Sequence, residues 1–157
     1  MLLLTSHVLI SRKQEGYNDW ILEIDVEETK TQYLKKGDLC DCLYCLNFYE
    51  AMKSRSEIEF QFFNRLGINP SQCNLLSHFD PQENGLHFYI GCYHMVGKVS
   101  NKTPLNIMNS DGAIEISNNL HIGFSNDLEF VPGGFTRPVL QLDFEIEVPW
   151  VLVEKPN

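Results

Sequence analysis

Three thiols fall close together in this chain: Cys40, Cys42 and Cys45, spaced C-x-C-x-x-C. Thiolates are soft ligands, so three at this spacing suit a single soft metal ion, zinc first among them. If Asp41 caps a helix, Cys42 and Cys45 stand one turn apart near its N-terminus, where the helix dipole favours thiolate. A structural zinc site needs four ligands, and the fourth would have to be Cys73, Cys92 or a distant histidine. Two separate C-x-x-C knuckles, the stronger signature, are missing. The competing reading is three reduced thiols that bind no cofactor and pack as small hydrophobes beside Tyr44 and Phe48. A redox-reactive thiol is a third reading, without a thioredoxin-like mechanism, since the βαβ context for one is absent.

The other reactive side chains form weaker patterns. His87 and His94 belong to one expected strand and differ by seven positions, so without a bulge they face opposite sides of a sheet. Cys92 and His94 share a face, but nothing marks the oxyanion hole or orienting group that nucleophilic catalysis also needs. Glu23, Asp25 and Glu27, and again Asp143, Glu145 and Glu147, line strand faces as rows. Rows of that kind read as solvated surface, whereas calcium sites converge in loops. Gly133-Gly134 after Pro132 is a turn, since the lysine and hydroxyl of a phosphate loop are absent. Phe88, Tyr89, Tyr93, Phe124, Phe130, Phe135, Phe144 and Trp150 fill a core or line a groove for a peptide or small ligand.

The elements that must position these groups alternate with period two. From 140 to 148 the even positions are Leu140, Leu142, Phe144, Ile146 and Val148, and the odd ones Gln141, Asp143, Glu145 and Glu147. Residues 20–27 repeat the pattern. Half-solvated alternation belongs to antiparallel sheets. Further strands are expected at 2–10, 75–79, 86–96, 113–117 and 120–124, with turns at 15–18, 80–85 and 118–119. Helices are expected at 43–53 and 57–66. Ser56 and Glu59 form a capping box, Ile58, Phe62, Phe63 and Leu66 a buried stripe, and Gly67 a C-terminal stop. Residues 100–112 read as a long exposed loop. The expected fold is a single α+β domain over 1–157: an antiparallel β-sandwich or partly closed barrel carrying an inserted helical hairpin.

The segment 40–49, Cys-Asp-Cys-Leu-Tyr-Cys-Leu-Asn-Phe-Tyr, resembles a family of small bacterial proteins with a C-x-C-x-Y-C-x-N-F/Y motif. Those proteins continue with a Leu-Gly-Ile turn before proline, a Y-H-x-V-G strand and a closing Q-L-x-F…P-W-V-L. Here the pieces are Leu66-Gly67-Ile68-Asn69-Pro70, Tyr93-His94-Met95-Val96-Gly97, and Gln141-Leu142-Asp143-Phe144 with Pro149-Trp150-Val151-Leu152. The resemblance implies a bacterial, cytosolic origin. It brings no activity with it.

Composition narrows the function classes. The 157 residues are 43% hydrophobic and 21% charged, a globular profile. A net charge of −9 with no basic cluster larger than a pair such as Lys35-Lys36 repels phosphate backbones and excludes nucleic acid as a partner. The apolar start lacks a basic n-region and a cleavage site, and it is too short to span a bilayer, so no membrane partner is expected. Five cysteines, an odd number, argue for a reducing, cytoplasmic setting. With no catalytic motif, the sequence reads as a non-enzymatic binding or assembly module for a protein or small ligand. The alternatives are a small metalloprotein using Cys40, Cys42 and Cys45 and, last, a Cys/His-dependent enzyme.

Overall fold

The alternating segments pair as strands in the computed structural model, which describes residues 6–10, 20–35, 37–99, 114–125 and 127–156. Among these residues lie seven strands: β1 (Ser6–Ile10), β2 (Trp20–Ile24), β3 (Leu75–Phe79), β4 (His87–Val99), β5 (Ile114–Ser117), β6 (Leu120–Ser125) and β7 (Val139–Val148). Three α-helices accompany them: α1 (Val26–Leu34), α2 (Leu43–Ala51), which tightens into a 3-10 turn over Met52–Ser54, and α3 (Glu57–Leu66). Every strand pairing is antiparallel, in the order β1-β2-β4-β7-β6-β5, and β3 joins β4 beside that path. The sheet curls into a partly closed barrel, which gives the expected α+β architecture. No helix among the described residues is long and apolar enough to cross a membrane. The residues expected as a strand start at 2–5, the turn at 15–18 and the loop at 100–112 lie outside the described residues.

The core follows the even positions of β7. Leu140, Leu142, Phe144, Ile146 and Val148 are all fully buried, together with Leu22 and Ile24 of β2 and Tyr89, Tyr93 and Met95 of β4. Phe144 lies between Tyr93, at 4.8 Å between ring centroids, and Phe48 of α2, at 5.7 Å, and stacks on both. Phe63 of α3 meets Tyr93 edge-on at 5.4 Å. The two expected helices therefore cover the inside of the curl.

The opposite face is less solvated than the alternation implies. Glu23, Asp25, Asp143 and Glu145, expected exposed, are half-buried, and Gln141 is fully buried. For Gln141 and Asp143 the cause is residues 127–138, which fold back over β7 and β4. The Gln141 side-chain oxygen accepts from the Glu129 N–H at 2.6 Å, and its amide donates to Asp143 at 2.8 Å. Burial raises the Asp143 carboxyl above its usual range. The two carboxylate rows do not oppose each other, because β2 pairs with β4 and not with β7.

Two corrections concern the helices. The strand expected over 20–27 ends at Ile24, and Val26 and Glu27 begin α1. Asp25 caps that helix, its carboxylate accepting from the Glu28 N–H at 3.0 Å, and Glu27 and Glu28 add acidic charge to the first turn. α1 fills a gap in the sheet. β4 pairs with β3 through Cys92 and with β2 from Gly97 onward, leaving the edge at 93–96 without a strand among the described residues. Helix side chains one turn apart supply the missing partners. Thr29 accepts from the Val96 N–H at 2.9 Å, while the Tyr33 hydroxyl donates to the His94 carbonyl at 2.9 Å and accepts from its N–H at 3.2 Å.

The second correction is Ile58. It is 64% exposed, whereas Glu59, Phe62, Phe63 and Leu66 form the buried i, i+3, i+4, i+7 face of α3. The capping box explains the rotation. Ser56 accepts from the Glu59 N–H at 3.4 Å, and the Glu59 carboxylate is gripped by Arg55 at 2.9 and 3.0 Å and by Ser117 of β5 at 2.8 Å. Burial opposes the ionised form of Glu59, but the Arg55 and serine contacts prevail and hold its pKa low. Gly67 then closes α3 at φ 79°, with the Gly67 and Ile68 N–H groups returning to the carbonyls of Asn64 and Phe63.

Candidate metal centre

The chain enters α2 through an extended segment, and the three thiols converge at that entrance. Cys42, not Asp41, is the N-cap: its sulfur accepts from the Cys45 N–H at 3.5 Å. Cys45 sits one turn into the helix and is buried, while Cys40 and Cys42 are exposed. Tyr49, one turn further along, donates its hydroxyl to the Cys40 carbonyl at 3.0 Å. That bond folds the lead-in back along the helix and brings Cys40 to the other two. The three sulfurs all lie within 4.8 Å of one another.

Their electrostatics differ. Burial pushes the Cys42 thiol up, but the hydrogen bonds from the Cys45 N–H, the Cys40 and Cys45 thiols and the Tyr44 N–H outweigh it, and its pKa is lowered. Burial raises Cys45, and the two neighbouring sulfurs reinforce that. Packing as small hydrophobes accounts for Cys45 alone, since the other two thiols face solvent.

The expected fourth ligand is not supplied by any other described residue of the right type. Cys73 and Cys92 are spent on the sheet. Cys73 donates to the carbonyls of Leu75 at 3.0 Å and Cys92 at 3.3 Å. The Cys92 thiol reaches the Glu129 carbonyl at 3.9 Å, and burial pushes it up to about 12.

α2 itself is anchored beyond the cluster. Asn47 is fully buried; it donates to the Pro149 carbonyl at 3.2 Å and accepts from the Val151 N–H at 2.7 Å. Tyr89 of β4 donates its hydroxyl to the Tyr44 carbonyl at 2.8 Å. Asn47 thus joins the cysteine motif to the Pro149-Trp150-Val151 segment, two pieces far apart in sequence.

The histidines fall elsewhere. His87 and His94 do face opposite sides of β4: His87 lies beside Trp150, at 5.1 Å, and His94 against Gln141, at 3.2 Å. The Gln141 oxygen can only accept, which places the His94 proton on Nε2. His94 and Cys92 share a face as read, and both turn to the backbone of Glu129, His94 bonding Gln141 as well. Sequence parity missed the closest histidine pair. His78 on β3 and His87 on β4 meet at 2.9 Å between ring nitrogens, with Tyr44 stacked on His78 at 4.0 Å. Only the strand register, which sets His78 opposite Tyr89, makes that pair visible.

Of the eight aromatics singled out, Tyr89, Tyr93, Phe124 and Phe144 are core, while Phe130 is 69% exposed. Phe130 borders a cavity of about 520 Å³ with Phe135, Tyr33, Lys35, Cys92 and His94. Searches against protein-family models, curated proteins and solved structures find no match for this chain.

Proposed function

We propose that the protein binds one soft metal ion, zinc as the leading case, through Cys40, Cys42 and Cys45. The convergence of three sulfurs within 4.8 Å of one another carries this reading. A tetrahedral ion with Zn–S bonds of about 2.3 Å holds its sulfurs roughly 3.8 Å apart. The thiols therefore close on an ion by no more than about 1 Å. An exposed lead-in carrying Cys40 and Cys42 accommodates that movement, while Cys45 is fixed on an anchored helix. Three protein sulfurs leave a fourth position for water or an incoming ligand, the pattern of an exchangeable site and not of a closed structural one.

The test is a zinc titration of untagged, fully reduced protein against a competing chromophoric chelator. One ion per chain, lost in Cys45→Ser and weakened in Cys40→Ser, supports the reading. Binding below stoichiometry, or binding unaffected by Cys45→Ser, removes it. The binding or assembly module expected from composition gains no comparable feature. Leu46, Val151 and Val153 are exposed near α2, but no occupant for that surface follows from the fold.

A further inference from the structure

We infer that the same site has a second activity: Cys42 and Cys45 form a disulfide when a hydroperoxide oxidises them, and the metal is expelled. The inference rests on the metal reading of the cluster. It stands on three geometric observations.

The first is reach. Cys42 and Cys45 occupy the N-cap and third positions of α2, and the Cys42 sulfur already touches the Cys45 N–H at 3.5 Å. In helical geometry positions three apart place Cα atoms about 5 Å from each other, inside the usual range for a disulfide. The sulfurs, within 4.8 Å, close by rotating side chains and not by moving the helix.

The second is access. Cys42 is exposed and open to a small oxidant, while Cys45 is buried behind it. A peroxide meets Cys42 first, and Cys45 is positioned to react with what forms there. The third is anchoring. Asn47 and the Tyr89–Tyr44 contact hold α2 to the C-terminal segment and the sheet without using a cysteine. Oxidation at the helix entrance therefore leaves the helix in place. Cys73 and Cys92 are buried in the sheet, apart from this chemistry.

The reaction balances. With hydrogen peroxide as the hydroperoxide, the Cys42 thiolate attacks one peroxide oxygen, the O–O bond breaks, and Cys42 becomes a sulfenic acid as hydroxide leaves. The Cys45 thiolate attacks the Cys42 sulfur, the S–S bond forms, and a second hydroxide leaves. Two protons convert the hydroxides to two waters. The two sulfurs lose two electrons and the hydroperoxide gains them. A zinc ion keeps its charge throughout. It loses two of three protein ligands, which a lone Cys40 cannot replace.

The experiment loads the full chain with one equivalent of zinc and adds hydrogen peroxide at a few equivalents. Three readouts run together: zinc released to a chromophoric chelator, free thiols remaining, and peptide mapping by mass. The expected result is one zinc released per two thiols lost, a Cys42–Cys45 disulfide in the map, and recovery of zinc binding after dithiothreitol. Cys40→Ser still forms the disulfide, and Cys45→Ser does not. Zinc bound and then retained through peroxide treatment overturns this inference and leaves the metal site standing. So does release through sulfinic acid at Cys40 with no Cys42–Cys45 disulfide. A chain that binds no zinc before oxidant is added overturns the metal site itself, and this inference with it.

Discussion

Replacing Phe144 with alanine removes a ring that is fully buried and stacked on both faces, against Tyr93 at 4.8 Å and Phe48 at 5.7 Å. No neighbour is free to refill the space. Gly91 faces the ring edge across β4, where even a Cβ would come within 2.8 Å of the Phe144 ring. Its backbone is held by pairing with β3 and β7. A phenyl group occupies roughly 100 Å³, so an uncollapsed cavity costs about 2.4 kcal/mol at about 24 cal/mol per Å³, with about 2 kcal/mol of lost transfer energy in addition. The expected loss is thus ~3–5 kcal/mol, matching the usual range for Phe→Ala in a core. At this chain length it lowers Tm by roughly 6–20 °C. Urea unfolding followed by far-UV circular dichroism reads it as a shifted midpoint with an unchanged slope. Glu145→Ala, on the next residue and the opposite face, shifts stability by no more than about 0.5 kcal/mol. A Phe144→Ala loss below about 1 kcal/mol, or a larger loss at Glu145, refutes the assignment of faces on β7.

Three further outcomes follow from local geometry. Gly67→Ala destabilises by more than about 1 kcal/mol in the same assay, because the new Cβ meets the Val26 carbonyl at 2.5 Å and the backbone holds φ 79°. Stability falls on acidification below the ordinary histidine range. Burial lowers the pKa of His78, aided by His87, and of His87 and His94, so the unfolded chain takes up protons first. That contribution is complete above about pH 6.5 and is lost as pH falls toward the folded values, so urea midpoints at pH 7.5 and 5.5 should differ in that sense and differ less in His87→Gln. Tyr49→Phe releases the Cys40 carbonyl, and chelator competition should show zinc bound up to about tenfold more weakly while thermal stability of the zinc-free protein is unchanged.

The residues that obey a short period were legible without a structure. The β7 alternation, the limits 57–66 of α3 and the Gly67 stop all follow from local sterics and capping. Asp25 shows where that logic fails. A run of alternating residues continues through Val26 and Glu27, and it hides the Asp25…Glu28 capping signal that ends the strand. Ile58 fails for a related reason: the capping box sets the helix phase, and an ion pair buries Glu59 where an apolar residue would be expected. The outer face of β7 misled because its cover, residues 127–138, carries no regular pattern. The cysteine cluster was legible as a local motif, but its closure was not. The hydroxyl of Tyr49 and the clamp of Asn47 on Pro149 and Val151 are contacts that no spacing rule encodes. The His78–His87 pair likewise depends on the β3–β4 register.

X-ray absorption at the zinc edge of protein loaded with one equivalent of zinc tests the central claim most directly. The account predicts three sulfur scatterers at about 2.3 Å and one lighter oxygen or nitrogen at about 2.0–2.2 Å. The Cys45→Ser protein should lose the sulfur shell. A zinc shell made of oxygen and nitrogen alone, or one unaltered by Cys45→Ser, contradicts the assignment of Cys40, Cys42 and Cys45 as the metal ligands.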